Sequence, residues 1–244
     1  MKGSIAMDYE SLLDLVKKRR SIRKFKPKPI PDEYVDKIIE VARWAPSGAN
    51  SQPWEFIVIK NKRIRNKIID FAIEQTSISY NLERTREKKL RFFEQGGPPA
   101  KEYNRDAPVF ILVCGDTRTK DFYPLIYTLT TGDQIFQSSL ASAFLYMTLA
   151  ATSLGLASKW LTAVATPLVE PLVKDLLGIP KEMALYDMML VGYPASKPRP
   201  RPVRDAEEIV HYERYDKSKF LSEDNLRRRV VKGKAWMQAT TRRG

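Results

Sequence analysis

The chain has 244 residues, 43% apolar and 29% charged, which is ordinary for a globular protein and enough to bury a sizeable core. One cysteine, Cys114, and one histidine, His211, exclude an intrachain disulfide, a histidine metal cluster and any catalyst built on a Ser–His or Cys–His pair. The formal net charge is +13, and nine basic against two acidic residues between Lys217 and Gly244 supply +7 of it.

Tyr9, Leu12, Leu13 and Val16 recur at helical spacing and predict a first helix over 8–18. It runs into "RRSIR" (19–23) and then "KPKPIP" (26–31), whose prolines force an extended chain. Alternate side chains of an extended segment share a face, so Arg19, Ser21 and Arg23 would point together. Two guanidinium forks flanking a hydroxyl suit a phosphate monoester. The same residues also suit a solvated basic patch at a helix C-terminus.

A second helix is predicted over 32–44 from Val35, Ile38, Ile39 and Ala42, with Asp32 as its N-cap. It leads into "APSGANSQPW" (45–54), where Pro46, Ser47, Gly48, Ala49 and Asn50 leave the backbone unobstructed. A flat ring could lie against such a stretch, with Asn50 donating and accepting in the ring plane. A tight helix-to-strand turn would read the same way. Trp54 would anchor the strand that follows in the core.

"WEFIVIK" (54–60), "PVFILVC" (108–114) and "YDMMLVG" (186–192) are predicted strands. Helices are predicted over 63–80, over 82–94 until "GGPP" breaks it, and over 172–177, stopped by Gly178 and Pro180. The apolar run from Ile135 to Leu156 is interrupted by Ser, Thr and Gln, so it reads as a buried core helix and not a membrane span. "KPRPRPVR" (197–204) is extended. Helices and strands alternate without a βαβ rhythm, so the class is α+β, and neither a Walker loop nor G-x-G-x-x-G is present. No charged-then-apolar leader opens the chain, and the lone thiol suits a reducing compartment, so the expected location is cytoplasmic. The basic tail could be a nucleic-acid arm, but RNA-binding aromatic motifs and zinc spacings are missing. The expectation is against a nucleic-acid partner and for a solvated or partner-wrapping extension over 217–244.

Together "RRSIR" and "PSGANSQPW" resemble the FMN-dependent nitroreductase superfamily, which carries an R-x-S-x-R/K element and then P-S-x-x-N/H-x-Q/E-P-W before a strand. "AATSLGLASKW" (150–160), a small-residue helix ending, agrees with it, as do "LLGIP" (176–180), "MMLVGYP" (188–194) and "EEIVHYERYD" (207–216), so the likeness spans about 8–216. It implies one FMN-binding domain over 1–216 with a lid at about 75–105. The implied fold is a central mixed or antiparallel sheet flanked by helices in an entwined homodimer, with the apolar helix at the subunit interface.

By that resemblance Arg19, Arg20, Ser21 and Arg23 hold the FMN ribityl and phosphate, and Pro46, Ser47, Gly48 and Asn50 meet the ring. Val164, Ala165 and Thr166 would lie near flavin N5, with the Thr166 hydroxyl in the catalytic position. Either Arg201 or Arg204 would be a further phosphate ligand, because "RPVRD" departs from the family spacing. NAD(P)H would deliver hydride to a flavin that then reduces a small nitroaromatic, quinone or enone. Within the lid, "KEYNRDAP" (101–108) is similar to the iodotyrosine deiodinase branch, which makes Tyr80 and Lys101, with Ala49, candidate substrate contacts. Thr76 stands where that branch has its clasping glutamate, Glu74 is merely nearby, and Asn50 replaces its usual histidine. A halophenol or halotyrosine dehalogenase is therefore the alternative enzyme. A relative that fragments its own flavin to dimethylbenzimidazole is a third, but its distinctive residues are not evident.

Overall fold

The computed structural model describes residues 8–88, 91, 102–198 and 200–242. They form two compact units, Met1–Ser196 and Lys197–Gly244. In the first unit a four-stranded antiparallel sheet has the order β1-β2-β4-β3, from β1 (Trp54–Ile59), β2 (Val109–Asp116), β3 (Ala157–Leu161) and β4 (Met183–Gly192). β2 shows why helices cover both faces. Val109, Ile111 and Val113 join one buried cluster, and Phe110, Leu112 and Cys114 join the other.

The first cluster is closed by α2 (Asp32–Arg43) and α5 (Gly132–Ser153), which contribute Val35, Ile38, Phe136, Leu140, Phe144 and Met147. The second is closed by α3 (Lys62–Glu83) and α6 (Glu170–Leu177), through Ile68, Ile69, Ala72 and Val173. Three layers result, helices on sheet on helices. α1 (Tyr9–Lys18) is capped by Asp8, whose carboxylate accepts from the Glu10 and Ser11 amides, yet it buries none of its residues. Short α4 (Leu125–Thr130) precedes α5, and its Leu125, Ile126 and Leu129 are exposed.

The second unit holds α7 (Ala206–Ile209) and α8 (Glu223–Arg242). The tail beyond 217, read above only as an extension, is thus largely helical. The compact unit begins at Lys197, so the Pro-rich segment and "EEIVHYERYD" belong to it. His211 stacks on Tyr215 at 4.3 Å and accepts a bond from the Asp216 amide at Nδ1, which gives the lone histidine a structural post.

Several expectations are corrected. Asp32 is the first helical residue of α2 and not its cap, because Pro31 takes the cap position, and its carboxylate instead meets Lys60 Nζ at 2.6 Å. α3 continues through Tyr80 to Glu83 with no break at 81, and residues 84–88 are not α-helical. The rest of the expected 82–94 helix, apart from Arg91, and "GGPP" lie outside the described residues. "AATSLGLASKW" does hold the end of the apolar helix: α5 stops at Ser153, Gly155 turns at φ +71°, and Ala157–Leu161 is a strand that was not predicted. α5 is not enclosed all round in one chain either. Gln134, Gln137, Ser138 and Leu145 are exposed while Phe136, Leu140 and Phe144 are buried. It is long and apolar enough to cross a membrane, but half of its apolar window is buried inside the fold.

Candidate functional site

The first candidate stretch is tethered along the β3 edge of the sheet. Arg19 ends α1, its amide donating to the Leu15 carbonyl. Ser21 then pairs in parallel with Ser158, the Ile22 amide donates to Ser158 (3.0 Å) and the Lys26 amide to Tyr193 (2.9 Å). Ile22 and Phe25 are buried and fix the strand-like path, with Ser21 exposed and Arg23 half-buried. Arg20 turns back. Its Nη1 donates to the carbonyls of Lys17 and Arg19, so this guanidinium closes the C-terminus of α1.

The second stretch is a strained turn laid over α5. Ala49, Asn50 and Gln52 have φ of 50°, 52° and 43°, a left-handed region that costs each non-glycine residue about 1 kcal/mol or more. Hydrogen bonds hold it there: the Gln52 amide donates to Ser47 Oγ (3.0 Å), Gln52 Nε2 to Asn50 Oδ1 (3.1 Å), and the Gly48 amide to Ser139 Oγ (3.2 Å). Ser51 and Tyr123 share a further hydroxyl contact at 3.2 Å. Pro46, Ala49 and Asn50 are exposed, while Ser47 and Gly48 are half-buried. Gly48 has a reason of its own to lack a side chain, since a Cβ there would fall 2.1 Å from Ile135 Cγ2. Trp54 is buried in the core at the start of β1.

β3 runs from Ser158 into a 3-10 turn, Thr162–Ala165. Val164 is fully buried, Ala165 and Thr166 are half-buried, and the Thr166 hydroxyl donates to the Ala163 carbonyl at 2.8 Å. The tether at Ser21 and the turn at 162–166 therefore lie along one edge, about 13–16 Å apart by strand rise. The "PSGAN" turn is not brought to the Ser21 tether. Trp54 stands opposite Gly115 and Ala184, whereas Ser158 stands opposite Val191 and Val109. Trp54 and Ser158 thus occupy diagonal corners of the sheet, roughly 20–25 Å apart at ~4.8 Å per strand and ~3.4 Å per residue.

Near the expected lid, Tyr80 is half-buried late in α3 and Glu74 is exposed. Thr76 is buried and its hydroxyl donates to the Ala72 carbonyl (2.7 Å), so it faces the helix backbone. Lys101 lies outside the described residues. In the second unit Arg204 pairs with Glu208, Nε to Oε2 at 3.2 Å and Nη2 to the carbonyl at 3.0 Å, while Arg201 is exposed and makes no ion pair among the described residues. The Cys114 thiol is pushed up to about 11 by burial, which makes it a packing group and not a nucleophile. Asp187 is buried with Oδ1 unpaired, and burial raises its pKa to about 6 against the Trp160 hydrogen bond that lowers it.

Sequence reading did not single out Ser139, Tyr123 or Ile135, the residues that shape the strained turn. Only Ser139 left a trace, as a hydroxyl inside an apolar helix.

The sequence profile described as "Nitroreductase family" matches residues 16–193. A "Putative NADH dehydrogenase/NAD(P)H nitroreductase" of Methanothermobacter thermautotrophicus is 30% identical over 206 residues, 84% of this chain and 87% of that protein. Iodotyrosine deiodinase 1 of Rattus norvegicus is 32% identical over 204 residues, 78% of this chain but only 64% of that one. Among solved structures, oxidized iodotyrosine deiodinase bound to FMN and 3-iodo-L-tyrosine aligns with a TM-score of 0.65 and 26% identity. That alignment covers 84% of this chain and 100% of that one.

Proposed function

The chain belongs to the nitroreductase family, and from that premise we propose that it is an FMN-dependent oxidoreductase that reduces a small oxidised or aromatic substrate with electrons from NAD(P)H. The observation that carries this reading is the strained turn at 47–52. Three left-handed non-glycine residues are held by side-chain hydrogen bonds, and Ala49 and Asn50 are nevertheless exposed. Strain of this kind persists where it prepares a contact. The residues fit FMN: Ser21 and Arg23 supply a hydroxyl and a guanidinium for the phosphate, and Asn50 supplies an amide beside an open backbone for a ring. Within the second unit Arg204 is already paired with Glu208. When bound, FMN supplies the hydride chemistry, taking two electrons from a nicotinamide and giving them to the substrate.

The chain's own contribution is orientation. The Thr162–Thr166 turn sets a hydroxyl and backbone amides at the end of β3, and Thr166 could direct its oxygen to a flavin nitrogen. Since the turn at 47–52 and the Ser21 tether sit at opposite corners of one sheet, the site is complete only between two copies. Each copy would give its tether to one end of FMN and its turn to the ring bound by its partner. α1 supports that arrangement, because its apolar stripe of Tyr9, Leu12 and Val16 is exposed in the single chain. The test is anaerobic mixing of the FMN-loaded protein with NADH or NADPH, then with a nitroaromatic, a quinone and an enone. Flavin bleaching by the nicotinamide and reoxidation by at least one acceptor is the expected result, and a flavin inert to both nicotinamides would refute it.

The similarity to iodotyrosine deiodinases favours a second reading, reductive dehalogenation of a halophenol. Thr76, buried and bonded to Ala72, offers no acid to a substrate ammonium. Flavin-fluorescence titration should therefore rank iodophenol above iodotyrosine, with Tyr80→Phe and Lys101→Ala weakening iodophenol more than nitrobenzene. Equal affinities untouched by either substitution would leave the lid without a substrate role.

A further inference from the structure

A cleft of about 430 Å³ opens between the 27–32 segment, the end of β1, the start of α3 and residues 105–109. Its charged lining is Lys28, Lys60, Lys62, Arg65 and Arg105 against Asp32 and Asp106. Lys60 already neutralises Asp32 at 2.6 Å and Arg105 pairs with Asp70 at 2.6 Å, so Lys28, Lys62 and Arg65 face only Asp106. Two features make this cleft more than a solvated basic face. The first is Arg65, only 8% exposed. Its Nε donates to the Lys60 carbonyl at 3.3 Å and its Nη1 to those of Arg105 and Ala107, and it makes no ion pair among the described residues. Carbonyl dipoles hold the fork in place but leave its charge uncompensated, and a buried charge without a counter-charge is costly. Burial accordingly pulls the Arg65 pKa below its ordinary value.

The second feature is the start of α3, which reads Lys62-Arg63-Ile64-Arg65 after the Asn61 cap, with no acidic residue in the first turn. Cations at a helix N-terminus oppose the helix dipole and cost a few tenths of a kcal/mol or more each. A local rule broken this way marks a functional position when something else supplies the missing charge.

We infer that this cleft is a binding site for a small phosphorylated anion, gripped by Arg65 from below and by Lys62 and Lys28 at the rim. It is separate from the proposed FMN site. Lys28 rests over the Tyr193 ring at 4.6 Å, so one rim cation is already positioned by packing. A phosphoryl group is favoured over a carboxylate because cations line the cleft from two elements, the 27–32 segment and the start of α3, and three acceptor oxygens can meet both.

The test uses full-length protein saturated with FMN, so that the flavin phosphate ligands are occupied, titrated calorimetrically with inorganic phosphate, pyrophosphate and adenosine diphosphate. Sodium chloride at matched ionic strength is the control. Pyrophosphate should bind at least tenfold more tightly than phosphate, and Lys62→Glu, on an exposed side chain, should weaken it at least tenfold while leaving FMN occupancy unchanged. Adenosine diphosphate binding more tightly than pyrophosphate would identify a nucleotide as the source of the phosphoryl group, and the reverse order would identify a free anion. Either order supports the site. Arg65→Ala would remove the bonds that tie the α3 start to residues 105–107, so Lys28→Glu serves as the second variant with the same expected loss. Heats no larger than those of the salt control, or pyrophosphate binding that survives Lys62→Glu and Lys28→Glu but is lost in Arg23→Ala, would overturn the inference.

Discussion

At the residue scale, Arg23 and Asp187 carry the sharpest expectations. Arg23 is half-buried on a segment pinned by Ile22 and Phe25, so the backbone of the proposed phosphate ligand is already ordered. Arg23→Ala should weaken FMN binding about 10- to 150-fold, the equivalent of ~1.5–3 kcal/mol for a charge-assisted contact, read by quenching of flavin fluorescence. Arg20→Ala should weaken it much less, because that side chain is spent on the carbonyls of α1. Asp187 predicts a pH dependence. Its folded pKa, about 6, lies above the ordinary carboxylate value of 3.8, so the folded state holds the proton more tightly than the unfolded one. Its stabilising contribution is complete below about pH 4 and is lost as pH rises to about 6. Between pH 4.5 and 7.5 the loss should be about 1–2 kcal/mol, less than the roughly 3 kcal/mol of the full shift because part of it is already gone at pH 4.5. Urea unfolding at pH 4.5 and 7.5 should show Asp187→Asn losing that difference. An unchanged pH profile in the variant would count against the assignment.

At the element scale, the turn at 47–52 depends on α5 beneath it. Gly48→Ala would push a methyl into Ile135, and overpacking of this kind costs about 1–3 kcal/mol. Ile135→Ala should recover much of that loss in the double variant, and additive losses in denaturant unfolding would show that the two residues do not meet. The same turn shows what was legible in the sequence. The small residues at 46–50 announced a close approach, but the partner for Gly48 is a side chain 87 positions away, which no local pattern reveals. β1, β2 and β4 were legible as dense apolar runs. β3 was not, because "ASKWL" is short, carries Ser158 and Lys159 in its middle, and follows a small-residue helix that it resembles. The helix boundaries at Asp32 and Leu82 erred for opposite reasons. A plausible cap was displaced by Pro31, and a charged segment was drawn into α3 as its last turn. In "RRSIR" the extended path was legible from the prolines that follow, while the retreat of Arg20 depended on the exact end of α1.

At the scale of the whole molecule, the two halves of the proposed site stand at diagonal corners of one sheet, and α1 and α4 carry apolar surface that is exposed among the described residues. A homodimer joining a tether from one copy to a turn from the other answers both features, and light scattering should give a dimer at micromolar concentration. The sharper measurement is complementation between two defective variants, Arg23→Ala at the phosphate end and Ala49→Phe at the exposed turn, at an FMN concentration that fills the wild type but neither variant homodimer. Unfolded together and refolded as a mixture, they form heterodimers in which one site inherits both lesions and the other inherits none. If the site is shared between copies, the isolated heterodimer recovers FMN at about half the wild-type occupancy, and with it nicotinamide-dependent bleaching. A heterodimer that stays as flavin-free as its parents would place both halves of each site in one chain and contradict the account.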